Sequence, residues 1–265
     1  MQFPATNAAL KTLSSGLPVI MQVDSAAPVV SAQCWVATGS QHENQFAGSG
    51  LSHLLEHMVF KGTNSFTGAE LATTVNSMGG QWNAYTSFDR TVYYIDGPSA
   101  SCDTFLRVLF ELVFQPRFPE ADFETERDVI RREIDMGKDD PDSAASELLF
   151  RTFFQHDLRR HPVIGYRRCF DALTYDNMVE YHRSRYCPSN SILVLSGDFD
   201  PVNAMSVLEE MGGSIPFRPL APTIAQTEPR HLGQRRARMP FAIPVSKTTL
   251  AWKTPAATFI CYSTC

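Results

Sequence analysis

The sequence predicts an α+β fold, in which strands and helices do not follow a strict strand–helix–strand repeat. Residues 29–38 and 192–196 are apolar runs with β-branched residues, which indicate core strands. Residues 50–60 and 120–138 instead have helical apolar spacing or a helix-forming composition. The chain has 265 residues, 43% of them hydrophobic, which is enough for one large core or two small ones.

Turn and cap signals set the limits of the elements in the first part of the chain. Two short β-forming runs separated by the connection 87–90 predict a hairpin. We expect a strand at 11–23 broken by a turn at 16–18, a strand at 29–38 buried on both faces, a polar loop at 39–49, helices at 50–60 and 67–78, and hairpin strands at 81–86 and 91–96.

Helices dominate the second part of the chain. Proline ends two of them, in Gln115-Pro116 and in Asp139-Asp140-Pro141, and Asp200 is a suitable N-cap for the last one. We expect helices at 99–114, 120–138, 142–154, 174–186 and 201–211, and a core strand at 192–196.

The helix at 50–60 carries the pattern His53-Leu54-Leu55-Glu56-His57. At about 100° per residue, the two histidines and Glu56 point together, away from an apolar stripe. Imidazoles at i and i+4 can bind one metal ion, and a carboxylate beside them can take a proton from water. This HxxEH order is the inverse of HExxH. The alternative is a pair of surface histidines in a pattern that recurs by chance. The apolar stripe consists of Leu51, Leu54, Leu55, Met58 and Val59.

A third ligand is expected because catalytic zinc usually takes three protein ligands. In the helix at 120–138, Glu126 and Glu133 project among apolar residues rather than with the other charges. A carboxylate on a core-facing side is unfavourable unless it is paired or binds a metal. The alternative is a pair of carboxylates bound to arginines from elsewhere. The apolar side consists of Phe123, Val129, Ile130, Ile134 and Met136.

Five stretches of the chain, in unchanged order, resemble the N-terminal domain of the pitrilysin family. This family includes insulin-degrading enzyme, the β-subunit of the mitochondrial processing peptidase and many bacterial zinc proteases. The resemblance covers about residues 10 to 257. The stretches are GLSHLLEHMVFKGT (50–63), GGQWNAYTSFDRTVYY (79–94), ERDVIRREID (126–135), HPVIGY (161–166) and YCPSNSILVLSGDF (186–199).

The resemblance implies a mixed, mostly antiparallel sheet with helices packed on one side. It also implies one Zn²⁺ per chain, held by His53, His57 and Glu133, with Glu126 supporting the ligands from outside. Glu133 follows His57 by 76 residues (133 − 57), which suits the family's distant glutamate ligand. The implied activity is that of a zinc metalloendopeptidase acting on peptides or unfolded polypeptides, with Glu56 as general base.

The segment Gln81-Trp82-Asn83-Ala84-Tyr85 resembles the family strand that pairs with substrate near the zinc. An exposed edge strand can bind an extended peptide by adding it to the sheet. The resemblance therefore makes Asn83 and Ala84 the expected substrate contacts. By pattern alone, an ordinary hairpin strand with aromatics in the core is the simpler interpretation.

Composition excludes several classes of partner and location. The net charge is −5 and the sequence has no basic tract, so we expect no nucleic acid as partner. No apolar run reaches membrane-spanning length, and the N-terminus resembles no secretory signal. The six cysteines lack CxxC spacing, which favours reduced thiols. We therefore expect a cytoplasmic protein that does not bind membranes.

Composition changes after residue 212. We expect a zinc-bearing peptidase domain at 1–212, a linker rich in proline and small residues at 213–234, and the first strands of an incomplete second domain at 235–265. In the family, the second half has the same fold without the metal motif and supplies residues that hold the substrate. Activity is then expected to need a partner chain that supplies this half, or a homodimer.

Three functions are consistent with the sequence. The first is a zinc metallopeptidase, or its zinc-bearing half. The second is a non-catalytic peptide-binding or assembly subunit of the same family, or an inactive fragment that needs a partner half. A purely structural zinc site comes last, because no fourth cysteine or histidine lies at fitting spacing for closed coordination.

Overall fold

Six strands form one mixed sheet in the order β1-β2-β6-β3-β5-β4. The computed structural model describes residues 7–213, 215, 218–224 and 226–254. Neighbouring strands are antiparallel except β2 and β6, which are parallel, so the predicted mostly antiparallel sheet is confirmed. The strands are β1 (Ala9–Thr12), β2 (Pro18–Val23), β3 (Val29–Val36), β4 (Gln81–Thr86), β5 (Thr91–Pro98) and β6 (Ser191–Gly197).

Eight α-helices accompany the sheet in the described residues. The predicted helices are confirmed to within a few residues, and the short α6 was not predicted. Helix α3 packs on β3, β5 and α8, whereas α1 contacts α4, α7 and β4. The helices are α1 (Leu51–Val59), α2 (Gly68–Ser77), α3 (Cys102–Phe114), α4 (Glu120–Asp139), α5 (Pro141–Phe153), α6 (Arg167–Asp171), α7 (Tyr175–Arg185) and α8 (Pro201–Gly212).

Strand β3 is covered on one face, and the prediction of burial on both faces is wrong. Its even-numbered residues from Val30 to Val36 are buried, whereas Ser31, Gln33 and Trp35 are partly exposed. This alternation arises because successive side chains point to opposite faces of a strand. The opposite face carries polar partners instead, and Trp35 donates a hydrogen bond to Gln33.

The start of α1 is fixed by close backbone contact with the segment around Gly165. Gly50 has φ of 73°, and a Cβ atom there would lie 2.1 Å from the carbonyl oxygen of Ile164. A Cβ atom on Gly165 would lie 2.3 Å from the backbone of Ser49. No larger residue fits at either position without moving backbone atoms. The HPVIGY stretch therefore sets where α1 begins.

Residues 235–254 contain no strand, so the strands predicted at 235–265 are not formed in the described part of that range. A strand needs a neighbouring strand to satisfy its backbone groups. This segment is not part of the six-stranded sheet. Residues 255–265 of the predicted second domain lie outside the described residues. The predicted division at 212 and 234 stays a prediction.

Two further observations concern the exclusions made above. In the part of the chain that the structure describes, no helix is both long and apolar enough to cross a membrane. The thiols of Cys34, Cys102, Cys169 and Cys187 are free, as predicted. Cys261 and Cys265 lie outside the described residues.

Candidate metal centre

Helices α1 and α4 bring three predicted metal ligands together. Nε2 of His53 lies 3.8 Å from Oε2 of Glu133, and Nε2 of His57 lies 3.7 Å from the same oxygen. All three ligand atoms lie within 4.8 Å of one another. Bonds of about 2.1 Å at tetrahedral angles separate zinc ligands by about 3.4 Å, so this donor set fits one zinc ion.

The environment of His53 keeps it in the form that binds metal. Burial, and then the proximity of His57, lowers the pKa of His53 to about 3. The ring is therefore neutral at physiological pH, with a lone pair available. Its Nδ1 atom is buried and has no hydrogen-bond partner among the described residues.

Glu126 supports His57 from the side opposite to Glu133. Its Oε2 atom lies 3.2 Å from Nδ1 of His57, and its Oε1 atom lies 2.5 Å from Nζ of Lys61. The side chain of Glu126 is only 9% exposed, whereas that of Glu133 is 38% exposed. Both glutamates thus pair with groups of α1 and the turn after it, rather than with arginines.

Glu56 lies beside the histidines and contacts the end of the hairpin strand β4. Its Oε2 atom accepts a hydrogen bond from Oγ1 of Thr86, 2.5 Å away. Burial raises the pKa of Glu56, and the Thr86 hydroxyl and His57 partly oppose this change. A raised pKa suits a carboxylate that must accept and then return a proton. Thr86 was not among the predicted site residues, because the sequence shows only that it ends a strand and not that this strand end meets Glu56.

The predicted substrate contacts lie on β4, an edge strand of the described sheet. Asn83 pairs with Tyr94 and Ala84 pairs with Tyr93. The backbone N–H of Ala84 donates to the side-chain oxygen of Asn83, 2.9 Å away, instead of to a neighbouring strand. The structure thus places both residues on the edge that a peptide could extend. Their role in binding stays a prediction.

Comparison with known proteins bears on the same region. The family described as Insulinase (Peptidase family M16) matches residues 18–165, more than half of the chain. The chain belongs to this family. A second match, to the family described as Peptidase M16 inactive domain, covers residues 172–261. The first match contains His53, Glu56, His57, Glu126 and Glu133.

Several proteins similar to this chain are named zinc proteases. An uncharacterized zinc protease of Mycobacterium leprae is 30% identical over 203 residues, which are 77% of this chain and 45% of that protein. The uncharacterized zinc protease YmxG of Bacillus subtilis is 29% identical over 187 residues, 71% of this chain and 46% of that protein. The chain thus spans about half the length of these relatives.

Solved structures agree with this assignment. A protease from Helicobacter pylori has a TM-score of 0.82 and 26% identity, and the match covers 87% of this chain and 56% of that one. A peptidase M16 inactive domain from Pseudomonas fluorescens has a TM-score of 0.75, with 83% and 53% coverage. At 19% identity, this second likeness shows the fold alone.

Proposed function

We propose that this insulinase-family chain is the zinc-bearing half of a metalloendopeptidase that hydrolyses peptides or unfolded polypeptides. The observation that carries the proposal is the convergence of His53, His57 and Glu133 from two helices far apart in sequence. A family name alone would not support it as strongly. The donor set is that of a catalytic zinc, with two nitrogens and one carboxylate and room for a further ligand.

The residues of the site divide the chemistry between them. Zinc bound by the three ligands supplies Lewis acidity toward the peptide carbonyl and lowers the pKa of water. Glu56 takes the proton from the attacking water and returns it to the leaving amine. The hydroxyl of Thr86 holds the carboxylate of Glu56 in place. Burial of Glu56 favours this role, because it raises the pKa of its carboxyl group.

The substrate is proposed to bind as an added strand along β4. An extended peptide would place its backbone beside Asn83 and Ala84, with hydrogen bonds to the free edge. To accept it, the Ala84 N–H has to exchange its bond to the Asn83 side chain for one to the substrate. Recognition through the backbone suits unfolded polypeptides, because it requires little sequence preference.

A second candidate is a non-catalytic peptide-binding or assembly subunit, or a fragment that needs a partner half. The observation that favours it is the match of residues 172–261 to the family described as Peptidase M16 inactive domain. We propose that a partner chain with the second half, or a second copy of this chain, supplies further residues that hold the substrate. We also propose a cytoplasmic location.

Zinc content and peptide cleavage test the proposed function together. We expect one zinc per purified chain. We also expect cleavage of an unstructured peptide that carries a quenched fluorophore, assayed with and without the second half of a relative. A chelator should abolish this cleavage. Glu56→Gln should retain the zinc and lower the rate at least a hundredfold, since a general base contributes roughly that much. The control Glu180→Gln changes an exposed residue of α7. Absence of zinc, or wild-type cleavage by Glu56→Gln, would refute the proposal.

A further inference from the structure

Lys61 follows α1 and reaches the carboxylate that supports the metal ligands. Its Nζ atom lies 2.5 Å from Oε1 of Glu126, and the other oxygen of Glu126 lies 3.2 Å from Nδ1 of His57. The Lys61 side chain is 31% exposed, whereas the Glu126 side chain that it contacts is only 9% exposed. The ammonium group therefore pairs with an almost completely buried carboxylate. The three side chains form a continuous row that ends at the metal centre.

We infer that Lys61 is a positioning residue of the zinc site, an inference that rests on the proposed function. Its ammonium group holds the Glu126 carboxylate so that the second oxygen accepts the Nδ1–H of His57. This hydrogen bond fixes the tautomer and the rotation of the ring, and it directs the Nε2 lone pair into the space between His53 and Glu133. Removing Lys61 would leave the carboxylate buried without its cation and free to turn away.

The cations of α4 are bound elsewhere: Arg132 donates to the backbone carbonyl of Asp128, and Lys138 pairs with Asp135. Arg127 donates to Glu124 and to the backbone carbonyl of Asp171. Arg131 pairs with Asp128 and with the Asp171 side chain. Among the described residues, the positive charge that balances Glu126 therefore comes from Lys61.

The backbone around Lys61 is held in place, which favours a defined role over a mobile surface lysine. The N–H of Lys61 donates to Met58, and the carbonyl of Gly62 accepts from the N–H of Arg117. Gly62 has φ of 144°, a conformation that favours glycine. The turn after α1 therefore delivers the lysine to the face of α4 that carries Glu126.

His57 is the ligand whose orientation this row can control. Nδ1 of His53 has no partner among the described residues, so that ring depends on packing alone. An outside carboxylate typically raises metal affinity by 10- to 100-fold. Part of this gain would be lost if the carboxylate lost its orientation.

The test is the zinc affinity of the metal-free chain, measured by competition with a chromophoric chelator. We expect Lys61→Met to weaken zinc binding about tenfold and Lys61→Arg to restore most of it. Lys138→Met is the matched control, because Lys138 lies exposed on α4 and pairs with Asp135. If Lys61→Met does not fold, Lys61→Gln removes the charge while retaining a hydrogen-bond donor.

A double-mutant cycle separates positioning from a general structural effect. Glu126→Gln should itself weaken zinc binding, and adding Lys61→Met should then change the affinity less than twofold, because Lys61 acts through Glu126. Equal losses in both backgrounds would overturn the inference, as would wild-type affinity in Lys61→Met. A wild-type chain that binds no zinc would refute the proposed function instead.

Discussion

At the scale of single residues, one hydroxyl connects the hairpin to the proposed general base. Thr86 is the last residue of β4, and its side chain contacts the carboxylate of Glu56 on α1. A general base must lie within hydrogen-bond reach of the proton that it removes. The strand that we propose to bind the substrate therefore also fixes the group that acts on it.

Replacing this hydroxyl should slow catalysis without removing the metal. We expect Thr86→Val to lower kcat about tenfold. This change corresponds to the loss of one hydrogen bond that contributes about 1.4 kcal/mol. Zinc content should be unchanged, because Thr86 contacts no proposed ligand. Thr86→Ser retains the hydroxyl and is the matched control. A kcat equal to wild type in Thr86→Val would mean that Glu56 is held by other contacts.

Some residues of the site were predictable from local rules. The period of a helix places His53, Glu56 and His57 on one face, and any helix over these residues would do the same. The placement of Thr86 was not predictable, because it depends on where the hairpin ends relative to α1. Met136 was predicted on the apolar side of α4 but is 71% exposed. The buried residues of α4 end at Ile134, so Met136 lies past the last of them.

At the scale of elements, a buried carboxyl group caps the helix that carries the histidines. The N-cap residue of α1 is Gly50, which has no side chain to offer. Glu43 supplies the cap from the preceding loop, because it accepts the N–H of Ser52 at 2.9 Å. Burial raises the pKa of Glu43 to about 8, although hydrogen bonds from Ser52 and Ser49 oppose this.

This buried group should make stability depend on pH. The unfolded chain releases the Glu43 proton near its usual pKa, about 4, whereas the folded protein retains it up to about pH 8. The group's contribution to the free energy of unfolding therefore falls as pH rises between these values. Glu43→Gln cannot titrate, so its stability relative to wild type should rise by about 2 kcal/mol between pH 5.5 and 7.5.

Urea denaturation at both pH values, with chelator present to exclude metal binding, measures this difference. The exposed variant Glu180→Gln should follow wild type at both values. If the curves of Glu43→Gln and wild type remain parallel, Glu43 is ionised in the folded protein across this range.

Strands were predictable where a neighbouring strand is present among the described residues. The strand at 192–196 was predicted from its apolar run, and it pairs with β2 and β3. The described part of the segment predicted as strands at 235–265 forms none, and it pairs with no strand of the described sheet. Local sequence indicates the tendency to form a strand, whereas the pairing depends on distant residues.

At the scale of the whole molecule, one carboxylate in the predicted linker at 213–234 contacts the loop after α5. Glu228 accepts hydrogen bonds from three consecutive backbone N–H groups, those of residues 155–157, at 2.8–3.0 Å. Arg235 donates to the same carboxylate. Burial opposes the ionised form, but these bonds outweigh it and lower the pKa of Glu228 to about 2. The contact fixes the position of this part of the predicted linker against the loop after α5.

Removing the charge should loosen this junction and leave the metal site intact. Hydrogen bonds to a charged group contribute about 1.5–3 kcal/mol, so Glu228→Gln should speed hydrogen exchange at residues 155–157 roughly tenfold or more. Protease cleavage within 226–247 should also become faster, whereas zinc affinity should not change. Glu209→Gln is the matched control, because Glu209 accepts the backbone N–H of Ser14 far from this junction. Unchanged exchange at residues 155–157 in Glu228→Gln would mean that the loop after α5 holds its shape without the carboxylate, and that the segment is attached by other contacts.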